Sequence, residues 1–404
     1  MVVNSRAALL LLFCLHATAA PKAIRFGNLW DGHRVVPNAI VLVDGEKIAS
    51  VESNGKIPIG AEIIDLSRYT GLPGMIDSHT HITYYWDPKS GTIPNRQPRR
   101  HVAMTVFLAQ ANAKKTLEAG VTTVRDLHAS GGADIAMRDL IDMGAMVGPR
   151  MFVSGSGIGS SANKGPDALK DALKAVLESG SDWVKVFGST GGFDNVTGNQ
   201  TVSYDEMKAI VDTAHAAGRR VAIHSYGPSG ARDAIRAGCD TLEHATDLDD
   251  ETIAELARKK IWYVPTIDHN RYYVENADGI YKFPVGAKDN LNAYIGRNFE
   301  TARKAFKAGV RMVAGSDAVF NGFGLNLREL GWFVKLGMSN EQALQSATVV
   351  PAEMLGMEKS LGAVAPGFFA DIVAVEGDPL TDIEVMMKNV RWVMKNGAVV
   401  VDKR

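Results

Sequence analysis

Two histidines separated by one residue follow a short apolar run near the start of the chain. In "GMIDSHTHI", residues 74–82, His79 and His81 come directly after Met75 and Ile76 and two polar residues. On a β-strand, residues i and i+2 point to the same side, so both imidazoles can bind one metal ion. A pair of hydrogen-bonded structural histidines would give the same pattern. The pair becomes informative only together with other polar residues in similar positions.

Four other ionisable residues also end apolar, strand-like runs: Lys185 in "DWVKVFG", His224 in "VAIHSYG", His244 in "DTLEHAT" and Asp317 in "RMVAGSDA". Burial of the lysine would lower its pKa and leave a nucleophilic neutral amine. Structural explanations stay open, since a lysine can reach solvent, a histidine can be hydrogen-bonded in the core, and an aspartate can cap a turn. Three other histidines do not share this setting and are excluded from the predicted site: His101, His215 and His269.

The runs that carry these residues belong to a regular alternation of strand-like and helical segments. Eight strand candidates occur in order: "MIDSHTH", "VTTVRDL", "RMFVSG", "WVKVFG", "RVAIHSY", "TLEHAT", "WYVPTI" and "RMVAGSDA". Helical segments that end in glycine, such as "ANAKKTLEAG", separate most of them. The pattern predicts an α/β fold, a (β/α)8 TIM barrel, whose active sites lie at the C-terminal ends of the strands. An open doubly wound sheet gives the same alternation but would hold its outer strand ends too far apart to share one site.

Both ends of the chain are β-rich and differ from this middle. "AIVLVDGEKIASV" contains the turn Asp44-Gly45, and "VRWVMKNGAVVVD" contains the turn Asn396-Gly397. We therefore predict a small composite β-sandwich domain formed by the N- and C-terminal segments. The predicted division is a signal peptide at 1–19, the N-terminal sandwich segment at 20–72, the barrel at 73–364 and the C-terminal sandwich segment at 365–404.

The first residues have the pattern of a secretory signal peptide. Arg6 precedes the apolar run "AALLLLFCL", which is too short to span a bilayer, and "HATAAP" supplies small residues for cleavage after Ala19. This predicts a secreted or periplasmic protein with no membrane association after cleavage. An uncleaved anchor or a buried N-terminal helix stays open. Cleavage would leave Cys239 as the single cysteine, so an internal disulfide is excluded.

The composition excludes some classes of partner. The chain has 45 acidic and 44 basic residues, a net charge of -1, and 46% hydrophobic residues. Such a balance produces no field that would attract nucleic acid or an anionic membrane, so neither is predicted as a partner. The proportions are those of an ordinary globular protein.

Several motifs together resemble the amidohydrolase superfamily. These are "PGMIDSHTH", "VKVFGSTGG", "HSYG", "LEHATDLDD" and "GSDA", in this order and spacing. The chain is most similar to the imidazolonepropionase-like branch, which includes Xaa-Pro dipeptidases, carboxypeptidase-like dipeptidases and ochratoxin-type amidases. The resemblance extends from about Ile24 to the C-terminus and includes the closing "GAVAPGFFADIVAVEGDPL".

The resemblance implies a barrel that hydrolyses amides with two divalent metal ions, for which zinc fits best. By position, one ion is bound by His79, His81 and Asp317, and the other by His224 and His244. Lys185 matches a lysine that becomes N6-carboxylysine and bridges both ions. Asp317 would also orient the metal-bridging hydroxide, take its proton and deliver it to the leaving amine.

The resemblance also suggests residues that contact the substrate. Tyr226 would stabilise the oxyanion through its hydroxyl, and His128 would touch the substrate carboxylate or carbonyl. Gly191 and Gly192 in "GSTGG" would present backbone N–H groups to a carboxylate. A tyrosine packed under a loop and a simple tight turn are the structural alternatives.

The predicted function is hydrolysis of the amide bond of a dipeptide or N-acyl amino acid by an Xaa-Pro dipeptidase, carboxypeptidase or ochratoxin-type amidase. The partner is then a small-molecule or dipeptide substrate, and a homo-oligomer is one option. An imidazolonepropionase-like cyclic-amide hydrolase and an inactive ligand-binding barrel are the alternatives. Deamination is disfavoured because "HSYGPSG" lacks the glutamate that follows this histidine in related deaminases.

Overall fold

The computed structural model describes residues 20–159, 165–192 and 196–404. The predicted signal peptide, residues 1–19, lies outside these ranges, so its cleavage and the location of the protein stay predictions. Within the described ranges, no helix combines the length and the apolar character that crossing a membrane requires.

Strands from both ends of the chain form one eight-stranded sheet. Its strands are β1 (Lys22–Trp30), β2 (Val35–Pro37), β3 (Ala39–Asp44), β4 (Lys47–Ser53), β5 (Glu62–Pro73), β13 (Ile372–Val375), β14 (Val390–Lys395) and β15 (Ala398–Asp402). The order is β15-β14-β13-β5-β1-β3-β4, and β2 pairs with β1. Because β5 pairs with β1 on one side and β13 on the other, the two ends of the chain form a single composite unit.

The inward side chains of this sheet pack into a core separate from that of the barrel. Phe26 and Leu66 from the N-terminal half and Ile372 and Trp392 from the C-terminal half are fully or almost fully buried in it. Strands from both ends of the chain therefore share one core. The domain boundaries stay predictions, although β5 ends close to the predicted start of the barrel at residue 73.

The described part of the middle of the chain contains seven regular parallel strands in two sheets. They are β6 (Met75–Thr80), β7 (Val121–Asp126), β8 (Arg150–Val153), β9 (Trp183–Phe187), β10 (Arg220–Ser225), β11 (Thr241–His244) and β12 (Trp262–Val264). One sheet has the order β6-β7-β8 and the other β9-β10-β11-β12. All seven coincide with predicted strands.

Backbone hydrogen bonds at two seams join these sheets into a ring. At the first seam, Ile158 N donates to Lys185 O at 2.8 Å. At the second, residues 310–318, which make only isolated bridges, take the place of a regular eighth strand. Val313 N donates to the backbone oxygen of the β12 residue Tyr263 at 3.1 Å, and Ser78 N of β6 donates to Ala314 O at 2.9 Å. The predicted (β/α)8 barrel is therefore confirmed.

Helices cover the outside of the barrel and connect its strands. They are α1 (Val102–Glu118), α2 (Ala133–Asp142), α3 (Pro166–Glu178), α4 (Tyr204–Ala216), α5 (Pro228–Ala237), α6 (Asp250–Arg258), α7 (Ile267–Asn276), α8 (Ala287–Lys307), α9 (Arg328–Leu336), α10 (Asn340–Gln345) and α11 (Val349–Leu355), with α12 (Val385–Lys388) between β13 and β14. Some of these helices begin at a local capping signal. At α4, Ser203 and Glu206 form a reciprocal capping box that satisfies two free backbone N–H groups.

The junction between the sheet and the barrel depends on Gly74, which lies between β5 and β6. A Cβ atom at this position would lie 2.1 Å from Thr122 Oγ1, and the Gly74 N–H donates to Asp371 O at 2.8 Å. We expect Gly74→Ala to lower the free energy of unfolding by about 1–3 kcal/mol, because the backbone must move to accept the methyl group. Urea unfolding of the purified protein measures this change.

Gly296→Ala is the matched control for this prediction. Gly296 lies inside α8, and a Cβ atom there would meet no atom within 4 Å. The alanine should raise stability by roughly 0.5–1 kcal/mol because it favours the helix. Equal effects of the two substitutions would contradict the proposed crowding at Gly74.

Candidate metal centre

His79 and His81 end β6 inside the mouth of the barrel, where both are buried. His79 Nδ1 donates to Glu243 Oε2 at 2.8 Å, and His81 Nδ1 donates to the backbone oxygen of His128 at 3.2 Å. In both rings the Nδ1 atom is therefore engaged, which leaves Nε2 available to bind a metal ion.

Asp317 reaches these two rings from the eighth segment of the barrel. Its Oδ1 atom lies 3.1 Å from His81 Nε2 and 3.6 Å from His79 Nε2. Ligand atoms of the three residues lie within 4.8 Å of one another. The segment approaches β6 closely because residue 315 is glycine, and a Cβ atom there would lie 2.9 Å from His79 Cβ.

Three further side chains lie beside His79, His81 and Asp317 and complete a cluster of six. They are Lys185 on β9, His224 on β10 and His244 on β11. Lys185 Nζ is 3.5 Å from His79 Nε2. The imidazole rings of His224 and His244 are 4.5 Å apart, and the His244 ring is 5.1 Å from that of His79. The structure thus brings together all six residues that were predicted to hold metal.

The protonation of the cluster suits a metal site, whose ligands must give up their protons. Burial lowers the pKa of His79 to about 4. It lowers the pKa of Lys185 to about 8, against the opposing pull of Glu243 and Asp317. Burial alone would raise the pKa of Asp317, but His269, His79 and His81 together hold it well below its usual range.

The donor set fits divalent metal ions. Imidazole nitrogens and a carboxylate are ligands that zinc accepts readily, and manganese or cobalt can take the same set. Moreover, the buried Nε2 atom of His224 has no hydrogen-bond partner among the described residues. An unpaired buried nitrogen lowers stability, and a metal ion at this position would remove that penalty.

Left-handed backbone conformations occur at several residues in and around the cluster. The φ angles are +120° at His128, +70° at His244, +49° at Thr266 and +49° at Asp317. Non-glycine residues adopt this region only when the surrounding structure imposes it, and such strain concentrates at functional sites. At His244 the ring is held by a 2.7 Å hydrogen bond between Nδ1 and Thr266 Oγ1.

The exclusion of His269 from the site was wrong. His269 is buried, and its Nε2 atom lies 3.3 Å from Asp317 Oδ2. It was missed because it lies in the first turn of α7 and not in a strand. The available signal was its position five residues after β12, since loops at the C-terminal ends of barrel strands reach the same mouth. His101 caps α1, and His215 pairs with Asp240 on the outside.

Two charged residues beneath the histidines were also missed. Glu243 precedes His244 on β11, and Arg125 lies on β7; both are completely buried. Burial would raise the pKa of Glu243, but the Arg125 charge and the hydrogen bond from His79 lower it to about 2. Glu243 lies within the motif "LEHATDLDD" and Arg125 within the strand candidate "VTTVRDL", but neither was predicted as a site residue, because only residues at the ends of such runs were considered as ligands.

The predicted substrate-contacting residues lie beside the cluster. The Tyr226 ring is 5.1 Å from that of His224, and burial raises the pKa of its hydroxyl, which stays a donor. Gly191 packs against this ring, since a Cβ atom there would lie 2.1 Å from Tyr226 Cδ2, whereas Gly192 has open space around it. His128 Nδ1 accepts from Gly157 N at 2.8 Å, so its proton is on Nε2. The roles of these residues stay predictions.

Tyr84 from the first βα loop covers the cluster. Its ring stacks on His81 at 4.8 Å and lies 5.8 Å from Phe320. A cavity of about 20 Å³ lies beside Asp317 and His269, which is room for about one water molecule. Tyr84 does not line this cavity and lies instead over the His81 ring.

A closed barrel with histidines, a lysine and a carboxylate gathered at its strand ends defines a metal-dependent hydrolase. The chain belongs to the amidohydrolase family, whose model matches residues 70–400. It is 28% identical to the ochratoxinase of Aspergillus niger over 89% of this chain and 82% of that protein. It is 22% identical to the imidazolonepropionase of Streptomyces avermitilis over 85% and 81% of the two chains.

Among solved structures, a Xaa-Pro dipeptidase with methionine bound in its active site superposes with a TM-score of 0.85. The two chains are 30% identical, and the match covers 94% of this chain and 99% of the dipeptidase. These relatives confirm the predicted family and branch. The protein is an enzyme, a hydrolase that acts on C–N bonds of small-molecule amides, which argues against an inactive binding barrel.

Proposed function

We propose that this enzyme hydrolyses the amide bond of a dipeptide or N-acyl amino acid at a two-metal site. The observation that carries the proposal is the convergence of six candidate metal-ligand side chains from five segments of the barrel wall. A Xaa-Pro dipeptidase and an ochratoxinase among the relatives support this class of substrate.

Each ion would have its own histidines. His79, His81 and Asp317 would hold the first ion, and His224 and His244 the second, with zinc as the natural metal. Bound divalent ions in such a pair supply a hydroxide near neutral pH and polarise the carbonyl of the substrate. The free Nε2 atom of His224 and the engaged Nδ1 atoms of the other histidines agree with this assignment.

Lys185 would act as N6-carboxylysine. Its neutral amine would attack carbon dioxide, form a C–N bond and release one proton, which gives an anionic carboxylate at the end of the side chain. Burial lowers the pKa of the amine to about 8, which increases the fraction in the neutral form, and the two new oxygens would offer one ligand to each ion. This modification would also replace a buried cation by an anion next to two cations, which favours its burial.

Asp317 is the proton carrier in this proposal. Its carboxylate would accept the proton of the attacking water and deliver it to the leaving nitrogen as the amide bond breaks. His269, 3.3 Å from Oδ2, would hold the carboxylate in position. Tyr226, which keeps its hydroxyl proton, would donate a hydrogen bond to the oxyanion of the substrate.

A secreted or periplasmic location belongs to the same proposal and rests on the sequence of residues 1–19. Mass spectrometry of the protein recovered from its native host would show a mature N-terminus at residue 20. Recovery of an N-terminus at residue 1 would contradict it.

The substrate is tested by screening zinc-loaded enzyme against dipeptides and N-acyl amino acids with varied C-terminal residues, together with cyclic amides. We expect cleavage within one C-terminal class, and loss of that cleavage after chelation, with recovery when zinc, manganese or cobalt is added. Cleavage of cyclic amides alone would replace this proposal by the imidazolonepropionase-like alternative. Activity that survives complete metal removal would contradict the two-metal site.

A further inference from the structure

We propose that Arg125 and Glu243 form a buried positioning pair that fixes His79 for metal binding and sets the metal affinity of the enzyme. The inference rests on the proposed metal site and concerns two residues outside the ligand set. Both lie beneath the histidines, on the side away from the barrel mouth, so we assign them a positioning role.

Arg125 is immobilised inside the barrel by bonds in three directions. Its Nε donates to Ser78 O at 2.6 Å, Nη1 to Thr241 Oγ1 at 2.9 Å and Nη2 to Glu243 Oε1 at 2.9 Å. The guanidinium also lies 4.6 Å from the centre of the Trp183 ring. A planar, always charged group held in this way gives a fixed positive charge beneath the histidines.

Glu243 uses its two oxygens differently. Oε1 accepts hydrogen bonds from Arg125 and from the Thr241 hydroxyl, whereas Oε2 accepts a hydrogen bond from His79 Nδ1 at 2.8 Å. Because an ionised carboxylate only accepts, this contact places the proton of the imidazole on Nδ1 and leaves the Nε2 lone pair free. Glu243 therefore determines both the tautomer and the orientation of His79.

A purely structural role explains this arrangement less well. A buried ion pair adds little net stability compared with apolar residues of similar volume. In this protein Glu243 is hydrogen-bonded to His79, a candidate metal ligand. A carboxylate that accepts a hydrogen bond from a metal-binding histidine raises the basicity of that histidine and the metal affinity of the site. His79 Nε2 also lies 3.5 Å from Lys185 Nζ, so the orientation of this ring affects both halves of the cluster.

The test is the affinity of metal-free protein for zinc, measured by competition with a chromogenic chelator. We expect Glu243→Gln to bind zinc about 10- to 100-fold more weakly, because the negative charge that polarises His79 is lost. Asp371→Asn is the matched control. This substitution removes the charge of a buried ion pair in which Asp371 Oδ2 lies 2.5 Å from Arg150 Nη1. The pair lies at the junction between the barrel and the sheet, away from the candidate metal ligands. The substitution should lower the melting temperature of the metal-free protein and leave zinc affinity unchanged.

A double variant separates positioning from folding. Arg125→Met with Glu243→Leu removes both charges together and should melt closer to the wild-type protein than Glu243→Gln does. We expect its zinc affinity to stay at least about 10-fold below that of the wild type. Wild-type zinc affinity in either variant would overturn the proposal. Zinc binding is measured without substrate, so a failed substrate screen would bear on the proposed reaction and not on this pair.

Discussion

Lys185→Ala will abolish amide hydrolysis and remove at least one metal ion from the enzyme. The substitution takes away the side chain that would bridge the two ions, and without both ions the nucleophile is not generated near neutral pH. We expect turnover to fall by at least about 10³-fold, the scale of effects seen when a major catalytic group is removed. Elemental analysis of the purified variant, together with kcat on the substrate found by screening, measures both effects.

Lys174→Ala is the matched control for this result. Lys174 lies on α3, with its side chain 74% exposed and only a 4.0 Å ion pair to Glu178. Such a surface pair contributes little, so metal content and turnover should both stay at the wild-type level. If Lys185→Ala kept full activity, the carboxylated lysine would have to be abandoned. Intact-mass measurement of gently handled wild-type protein should show the added carbon dioxide.

Asp317→Asn should separate metal binding from proton transfer. The amide oxygen can still face His79 and His81, so we expect most of the metal to be retained. An amide cannot take a proton at neutral pH, and loss of general acid–base catalysis lowers rates by about 10²–10⁴-fold. The measurements are metal content and steady-state kinetics, in which kcat and kcat/KM should fall together.

Asp249→Asn provides the comparison for Asp317. Asp249 accepts a hydrogen bond from Thr252 N at the start of α6, and its side chain is exposed. Because asparagine also caps helices well, its stability and turnover should stay near wild type. Unchanged turnover in Asp317→Asn would remove Asp317 as the proton carrier.

The barrel and the position of its candidate metal ligands could be predicted from sequence because two simple rules apply to them. Buried parallel strands appear as apolar runs, and functional side chains of a barrel follow the C-terminal ends of those runs. Lys185, His224 and His244 obey both rules. Asp317 obeys the second even though residues 310–318 form no regular strand in the structure. Six separate positions thus indicated one site before their distances were known.

The supporting residues follow neither rule. His269 lies on a helix, and Arg125 lies within a strand, where a charged residue ordinarily indicates a solvent-facing side of the sheet. Their roles depend on which side chains meet across the barrel, such as the 2.9 Å contact from Arg125 to Glu243, more than a hundred residues apart in sequence. Local sequence patterns do not predict contacts between residues that are this far apart in the chain.

The course of β5 between β1 and β13 has a consequence for how the chain folds during synthesis. β1 to β5 leave the ribosome first, but β13, which covers one edge of β5, is made only after the whole barrel. During that interval β5 presents an open edge of unpaired backbone groups, a feature that promotes association between chains. Chains truncated before residue 372 should therefore aggregate in proportion to their concentration, and chaperones that bind exposed strands should act on this enzyme late in translation.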